Sequence, residues 1–121
     1  MISPLVVLAL AASGMGWGGP RGELRDVAPP RTHTIRIKDS DFGPHRLQVA
    51  VGDTVIWVNE DIVPHTASAQ PVFNSKGIEP HHSWVWVAKR PGAFQYACLF
   101  HPTMKAEVTV HGPRMSLPRK A

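Results

Sequence analysis

From Thr32 onward the chain is cut into short runs of alternating apolar and polar residues, each closed by glycine, proline, asparagine or aspartate. Alternation of period two places one set of side chains on one face of a strand, and frequent turn residues leave no room for long helices. Residues 32–37 predict a first strand, and 39–44 a turn holding Phe42. Residues 46–51 alternate, with Leu47, Val49 and Val51 on one face; Gly52-Asp53 turns the chain into a strand over 54–59, where Val55 and Trp57 face together. A loop ends at Pro64, a short strand covers 65–69, and 70–81 reads as an irregular connection. Residues 83–89 place Trp84, Trp86 and Ala88 on one face and Val85 and Val87 on the other. Residues 93–98 align Phe94, Tyr96 and Cys98, and 106–111 form the last strand. Seven such strands without helical periodicity predict an all-β sandwich or barrel, with Leu47, Val49, Val55, Trp57, Trp84, Trp86, Phe94 and Tyr96 as its core.

At 121 residues the chain suits one domain, since domains commonly run to ~100–150 residues. An apolar content of 43% suffices for a core. The formal charge of +4 is mild, and several contributors (Arg21, Arg25, Arg114, Arg119, Lys120) sit toward the ends. No concentrated basic patch points to nucleic acid.

Residues 1–14 carry an apolar core from Leu5 to Ala12 followed by small residues, the pattern of a cleaved export signal, although no Lys or Arg precedes it. The run breaks at Gly14, Gly16, Gly18 and Gly19, short of the ~20 apolar residues a membrane span needs. Residues 15–31, rich in Gly, Pro and Arg, predict a flexible lead-in; 32–112 form the folded domain, and 113–121 a basic tail. An exported, periplasmic or extracytoplasmic location follows from this reading, with the chain expected to be a monomer without stable membrane insertion.

One cysteine excludes an internal disulfide, and an unpaired cysteine in an exported chain points to a reactive thiol or a metal ligand. Cys98 is followed at equal spacing by His101 and Met104, and His65 stands upstream behind Pro64. A thiolate, two imidazoles and a weak axial thioether are the ligand set of a mononuclear blue-copper electron-transfer site. A structural zinc site normally uses more cysteines, and methionine is a poor zinc ligand. His81 and His82 are adjacent, so on a strand they would point to opposite sides; they and His33, His45 and His111 read as surface residues. Leu99, Phe100, Pro102 and Pro64 are placed to form an apolar rim around His101, where a redox partner would dock briefly.

The stretch from Asp41 to Gly112 resembles the cupredoxins, most closely their amicyanin and plastocyanin branch. The resemblance rests on Phe42 and Pro44, Gly52-Asp53-Thr54-Val55 with Trp57 and Asn59, Pro64-His65-Thr66, Pro91-Gly92-Ala93-Phe94-Gln95-Tyr96 and Cys98-Leu99-Phe100-His101-Pro102-Thr103-Met104. It implies a Greek-key β-sandwich of about seven to eight strands and one type 1 copper held by His65, Cys98, His101 and Met104. Two positions depart from it. Lys105 stands where a glycine is common, and Thr66 stands where many relatives have an asparagine that helps hold the cysteine. The function implied is a diffusible one-electron carrier cycling Cu(I) and Cu(II). The alternative is a periplasmic copper-binding or delivery protein without redox traffic. No nucleophile–base arrangement suggests an enzyme.

Overall fold

The computed structural model describes residues 25–118, which form nine strands and no helix. They are β1 (Thr32–Lys38), β2 (Asp41–Gly43), β3 (Arg46–Ala50), β4 (Thr54–Asn59), β5 (Ser68–Ala69), β6 (Phe73–Asn74), β7 (Ser83–Val87), β8 (Gly92–Ala97) and β9 (Lys105–His111). Two mixed sheets result, one ordered β2-β1-β4-β7 and the other β3-β9-β8-β5-β6. Each contains one parallel pair, β1 with β4 and β3 with β9, among antiparallel neighbours. The all-β sandwich expected from the alternation is what forms. Two short strands lie where the sequence suggested a turn and an irregular connection. Phe42 sits on β2 and Phe73 on β6, and each strand is too short for alternation to mark it.

The inner faces follow from register. Val55 lies opposite Trp86 and Trp57 opposite Trp84, so all four side chains point to the same side of their sheet. Trp57 is fully buried at the centre, with ring centroids of Phe73, Trp84 and Tyr96 at 5.4, 5.5 and 5.5 Å. Val49, Val55, Trp57 and Tyr96 are buried as expected, whereas Leu47, Trp84, Trp86 and Phe94 are half-buried at the core's margin. The core also takes in Ile35, Ile37, Val108 and Val110. Trp57 Nε1 and the Tyr96 hydroxyl are buried without a hydrogen-bond partner among the described residues. Burial also raises the Tyr96 hydroxyl well above its usual ionisation range, so it stays neutral.

Two turns tie the sandwich together at opposite ends. At the far end, Gly52 adopts φ 95°, a left-handed conformation that glycine takes without steric cost, and Asp53 follows it fully buried. The Asp53 carboxylate accepts hydrogen bonds from the backbone N–H groups of Arg31 and Ala50, from His33 Nε2 and from the Arg114 guanidinium. Burial alone would raise this carboxyl, but these donors outweigh it and hold it well below the ordinary range. His33 is therefore a partner of a buried carboxylate rather than the surface residue expected, while His45, His81, His82 and His111 are exposed. The beginning of the basic tail is likewise pinned: Val27 bridges Met115, and Ser116 N–H donates to the Asp26 carbonyl. Residues 1–14, read as an export signal, lie outside the described residues.

At the other end, Asp39 and Ser40 join β1 to β2 in a two-residue turn with φ of 52° and 55°. Left-handed backbone is disfavoured for residues with a Cβ. Here both N–H groups converge on the Asp61 carboxylate, at 2.7 and 2.9 Å, which supplies the compensating interaction.

Candidate metal centre

The same Asp61 connects this turn to a buried histidine. The 59–65 loop is folded by Asn59, whose side-chain amide donates to the carbonyls of Val63 and Ile78 and whose side-chain oxygen accepts from Asp61 N–H. His65 then bridges Ile78 through two backbone hydrogen bonds and is fully buried. Its Nε2 lies 2.7 Å from Asp61 Oδ2. Burial pushes the Asp61 carboxyl up, but the Ser40 N–H, His65 and the Asp39 N–H together bring it below the usual range, so it is ionised at neutral pH. An ionised carboxylate only accepts, so Nε2 carries the proton and Nδ1 presents its lone pair.

That lone pair faces Cys98. β8 ends at Ala97, one residue earlier than alternation suggested, and Cys98 turns inward with 1% of its surface exposed. Cys98 Sγ lies 3.7 Å from His65 Nδ1 and 3.8 Å from His101 Nδ1. All three donor atoms fall within 4.8 Å of one another. First-row metal–nitrogen and metal–sulfur bonds of about 2.0–2.3 Å meeting near trigonal angles require nitrogen–sulfur edges of about 3.6–3.8 Å. Both sulfur–nitrogen edges therefore match such a site, and the three donor atoms lie close enough together to share one metal ion. Thiolate and imidazole donors in this ratio suit copper.

The 98–104 loop is closed by the backbone. Cys98 N–H donates to the Met104 carbonyl, and Met104 N–H to the His101 carbonyl. Met104 is 4% exposed and packs in the same buried cluster as Cys98. His101 is half-buried, the one member of the trio that reaches the surface.

Thr66 performs two tasks. Its backbone N–H donates to Cys98 Sγ at 3.3 Å, and its hydroxyl accepts from Leu99 N–H at 2.8 Å. The hydroxyl lies 3.1 Å from Ser68 Oγ, which is 2.8 Å from Asn74 Oδ1. Because Asn74 Oδ1 can only accept, Ser68 donates to it and Thr66 donates to Ser68. A threonine thus holds the cysteine loop through a hydrogen-bonded chain anchored on β6.

These arrangements place the chain among known proteins. The family whose description is cupredoxin-like domain matches residues 5–110. The chain belongs to the cupredoxin-like family. Among curated cupredoxins it is similar to an amicyanin of Paracoccus denitrificans, at 24% identity over 63% of this chain and 63% of the relative. The chain therefore spans a little under two thirds of that relative's length. Among solved structures it is similar to a purple cupredoxin of Nitrosopumilus maritimus, at TM-score 0.59 and 29% identity, covering 65% of this chain and 99% of that one. It also resembles a copper-containing nitrite reductase of Thermus scotoductus, at TM-score 0.65 and 27% identity, covering 71% of this chain but 24% of the reductase.

The sequence-expected donors His65, Cys98 and His101 are brought together, with Met104 buried in the same cluster. Lys105 begins β9 and is exposed. Asp61 escaped sequence reading, although an acid four residues before a ligand histidine is a usable signal for a supporting carboxylate. Exposed apolar residues occur on both loops: Ile62 is 90% exposed and Val63 39% on the 59–65 loop, and Leu99 is 58% and Phe100 55% exposed on the 98–104 loop. Pro64, expected on the rim, is only half-exposed.

Proposed function

We propose that this chain is an exported blue-copper protein that carries single electrons between partner proteins. The observation that carries this reading is the convergence of Cys98 Sγ, His65 Nδ1 and His101 Nδ1 on one buried point with edges of 3.7 and 3.8 Å. In this reading His65, Cys98 and His101 would hold the ion, and the Met104 thioether, buried in the same cluster, would serve as a weaker fourth donor. A bound copper supplies a one-electron couple between Cu(I) and Cu(II). The protein's own residues do the remainder. Asp61 fixes the His65 tautomer, the Thr66 N–H holds the thiolate, and backbone hydrogen bonds keep the 98–104 loop from opening. A site held on every side changes little when its charge changes, which favours fast electron exchange.

His101 is the exit to solvent. Leu99, Phe100, Pro102 and Pro64, joined by Ile62 and Val63, form a mainly apolar rim on which a redox partner docks transiently. Residues 1–14 act as the export signal and deliver the chain to the periplasm. The chain acts as a carrier and not as an enzyme, a reading that its similarity to an amicyanin supports.

The test is the visible spectrum of the protein with Cu(II), beside Cys98→Ser, followed by voltammetry. An intense blue or purple charge-transfer band lost in the variant, with a reversible potential, supports the carrier reading. A copper complex that is colourless, or one that gives the metal up on each reduction, overturns it in favour of delivery or storage.

A further inference from the structure

The sheet β2-β1-β4-β7 ends at β7, and no described strand pairs with the outer edge of β7. The direction of its backbone groups follows from its neighbour. Ala88 N–H donates to the Asp53 carbonyl, and the Ala88 carbonyl accepts from Gly52 N–H, so Ala88 faces β4. By alternation, Trp86 and Trp84 also direct their backbone groups to β4, and Ser83, Val85 and Val87 direct theirs outward.

The other sheet edges are guarded. β2 has three residues and β6 two, and β3 opens on an exposed arginine, Arg46, just after Pro44. β7 has five residues, Ser-Trp-Val-Trp-Val, with no charge and no proline, and Val85 and Val87 are 52% and 41% exposed. Such an edge is a template for another strand.

We propose that β7 pairs with β7 of a second copy of this chain, antiparallel about a two-fold axis at Val85. The set of outward-facing residues is symmetric about Val85, so Val85 meets its own counterpart and Ser83 meets Val87. Every outward N–H and carbonyl then finds a partner, about six hydrogen bonds in all. The charges beyond the strand are complementary as well. Lys89 and Arg90 follow β7, Glu79 precedes it, all three are exposed, and none makes an ion pair among the described residues. Antiparallel pairing brings the basic end of each copy to the acidic end of the other. Val85, Val87, Lys89 and Arg90 also line a groove of about 490 Å³, together with Trp86, Pro71 and Val72. Because the strands run oppositely, the two His65–Cys98–His101 clusters lie at opposite ends of the pair and both stay open.

The test is sedimentation velocity of the full chain from micromolar to near-millimolar concentration, beside Val85→Lys. A reversible dimer whose dissociation constant rises at least about tenfold in the variant is expected, since two like charges would meet at the axis. An unchanged visible spectrum of the copper-loaded variant reports that it has folded. A monomer at the highest concentration, or a dimer indifferent to Val85→Lys, overturns the proposal. Val85→Cys supplies the second measurement, because facing residues of a hydrogen-bonded pair lie about 5.5 Å apart at Cα, within disulfide reach. Mild oxidation is expected to yield a covalent dimer with Val85→Cys, and none with the wild type or with Arg46→Cys on the opposite sheet edge. Equal cross-linking of all three, or none with Val85→Cys, overturns the register. A monomer whose Val85 and Val87 amides exchange slowly assigns the edge to another segment of the same chain and overturns the second copy as its occupant.

Discussion

Asp61→Asn is the most informative single substitution in this molecule. The carboxylate accepts three hydrogen bonds: from Asp39 N–H on one oxygen, and from Ser40 N–H and His65 Nε2 on the other. An asparagine retains one acceptor oxygen, so its amide N–H₂ must face either the Asp39 N–H or the pair from Ser40 and His65. At least one charge-assisted hydrogen bond is lost, and at least one donor is left facing another donor. Loss of a hydrogen bond to a charged group costs about 1.5–3 kcal/mol of stability. The left-handed turn at Asp39 and Ser40 loses part of its compensation at the same time. The larger consequence is for the metal. Removing a carboxylate that orients a ligand histidine typically lowers metal affinity about 10–100-fold, or ~1.4–2.8 kcal/mol. Two assays separate the effects: urea unfolding of the metal-free protein, and competition for Cu(II) against a chelator of known affinity. Both quantities are expected to fall. If stability falls while copper affinity is unchanged, Asp61 merely ties the β1–β2 turn to the loop, and its assignment to the metal centre is wrong.

Further outcomes are expected elsewhere in the fold. Thr66→Val keeps the backbone donor to Cys98 Sγ but removes the acceptor for Leu99 N–H; a loss of about 1–3 kcal/mol of unfolding free energy, read from urea unfolding, is expected, and no loss refutes the Thr66–Ser68–Asn74 chain. Arg114→Ala strips a two-pronged donor from buried Asp53 and should cost about 1.5–3 kcal/mol, with Arg114→Lys recovering only part. Asp53 and Asp61 are both held below their unfolded values, so the unfolded chain takes up protons first on acidification. Their contribution is therefore complete above about pH 4–5 and is lost as the pH falls below ~4; metal-free protein equally stable at pH 3 and pH 6 contradicts this. Gly92→Ala would place a Cβ 2.7 Å from Phe94 Cζ at a φ of 155°, displacing the ring from its edge-on contact with Trp86; a loss of about 1–3 kcal/mol and a changed near-ultraviolet circular dichroism spectrum are expected.

How much of this was legible in the chain depends on whether a feature is local. The alternation of 54–59 and 93–98, the turn residues between runs and the Cys98–His101–Met104 spacing are local, and each fixed its own piece: which side chains face inward, where the chain reverses, and which donor atoms share a loop. Phe42 and Phe73 were beyond this logic, because strands of three and two residues exist only through pairing with β1 and β5. The same holds for His33 and Arg114, separated by eighty-one positions in sequence, which meet only because β1, the β3–β4 turn and the C-terminal segment close around Asp53. Asp61 could be seen as an acid near a histidine, but not as the link between that histidine and a turn twenty-one positions earlier. The sequence by itself determined the class of fold and the chemistry of the donors, since period and side-chain type need no partner to be read. Tertiary structure alone decided the donor-to-donor edges, the carboxylate that sets the His65 tautomer and the unguarded edge of β7, because each depends on which distant strands become neighbours.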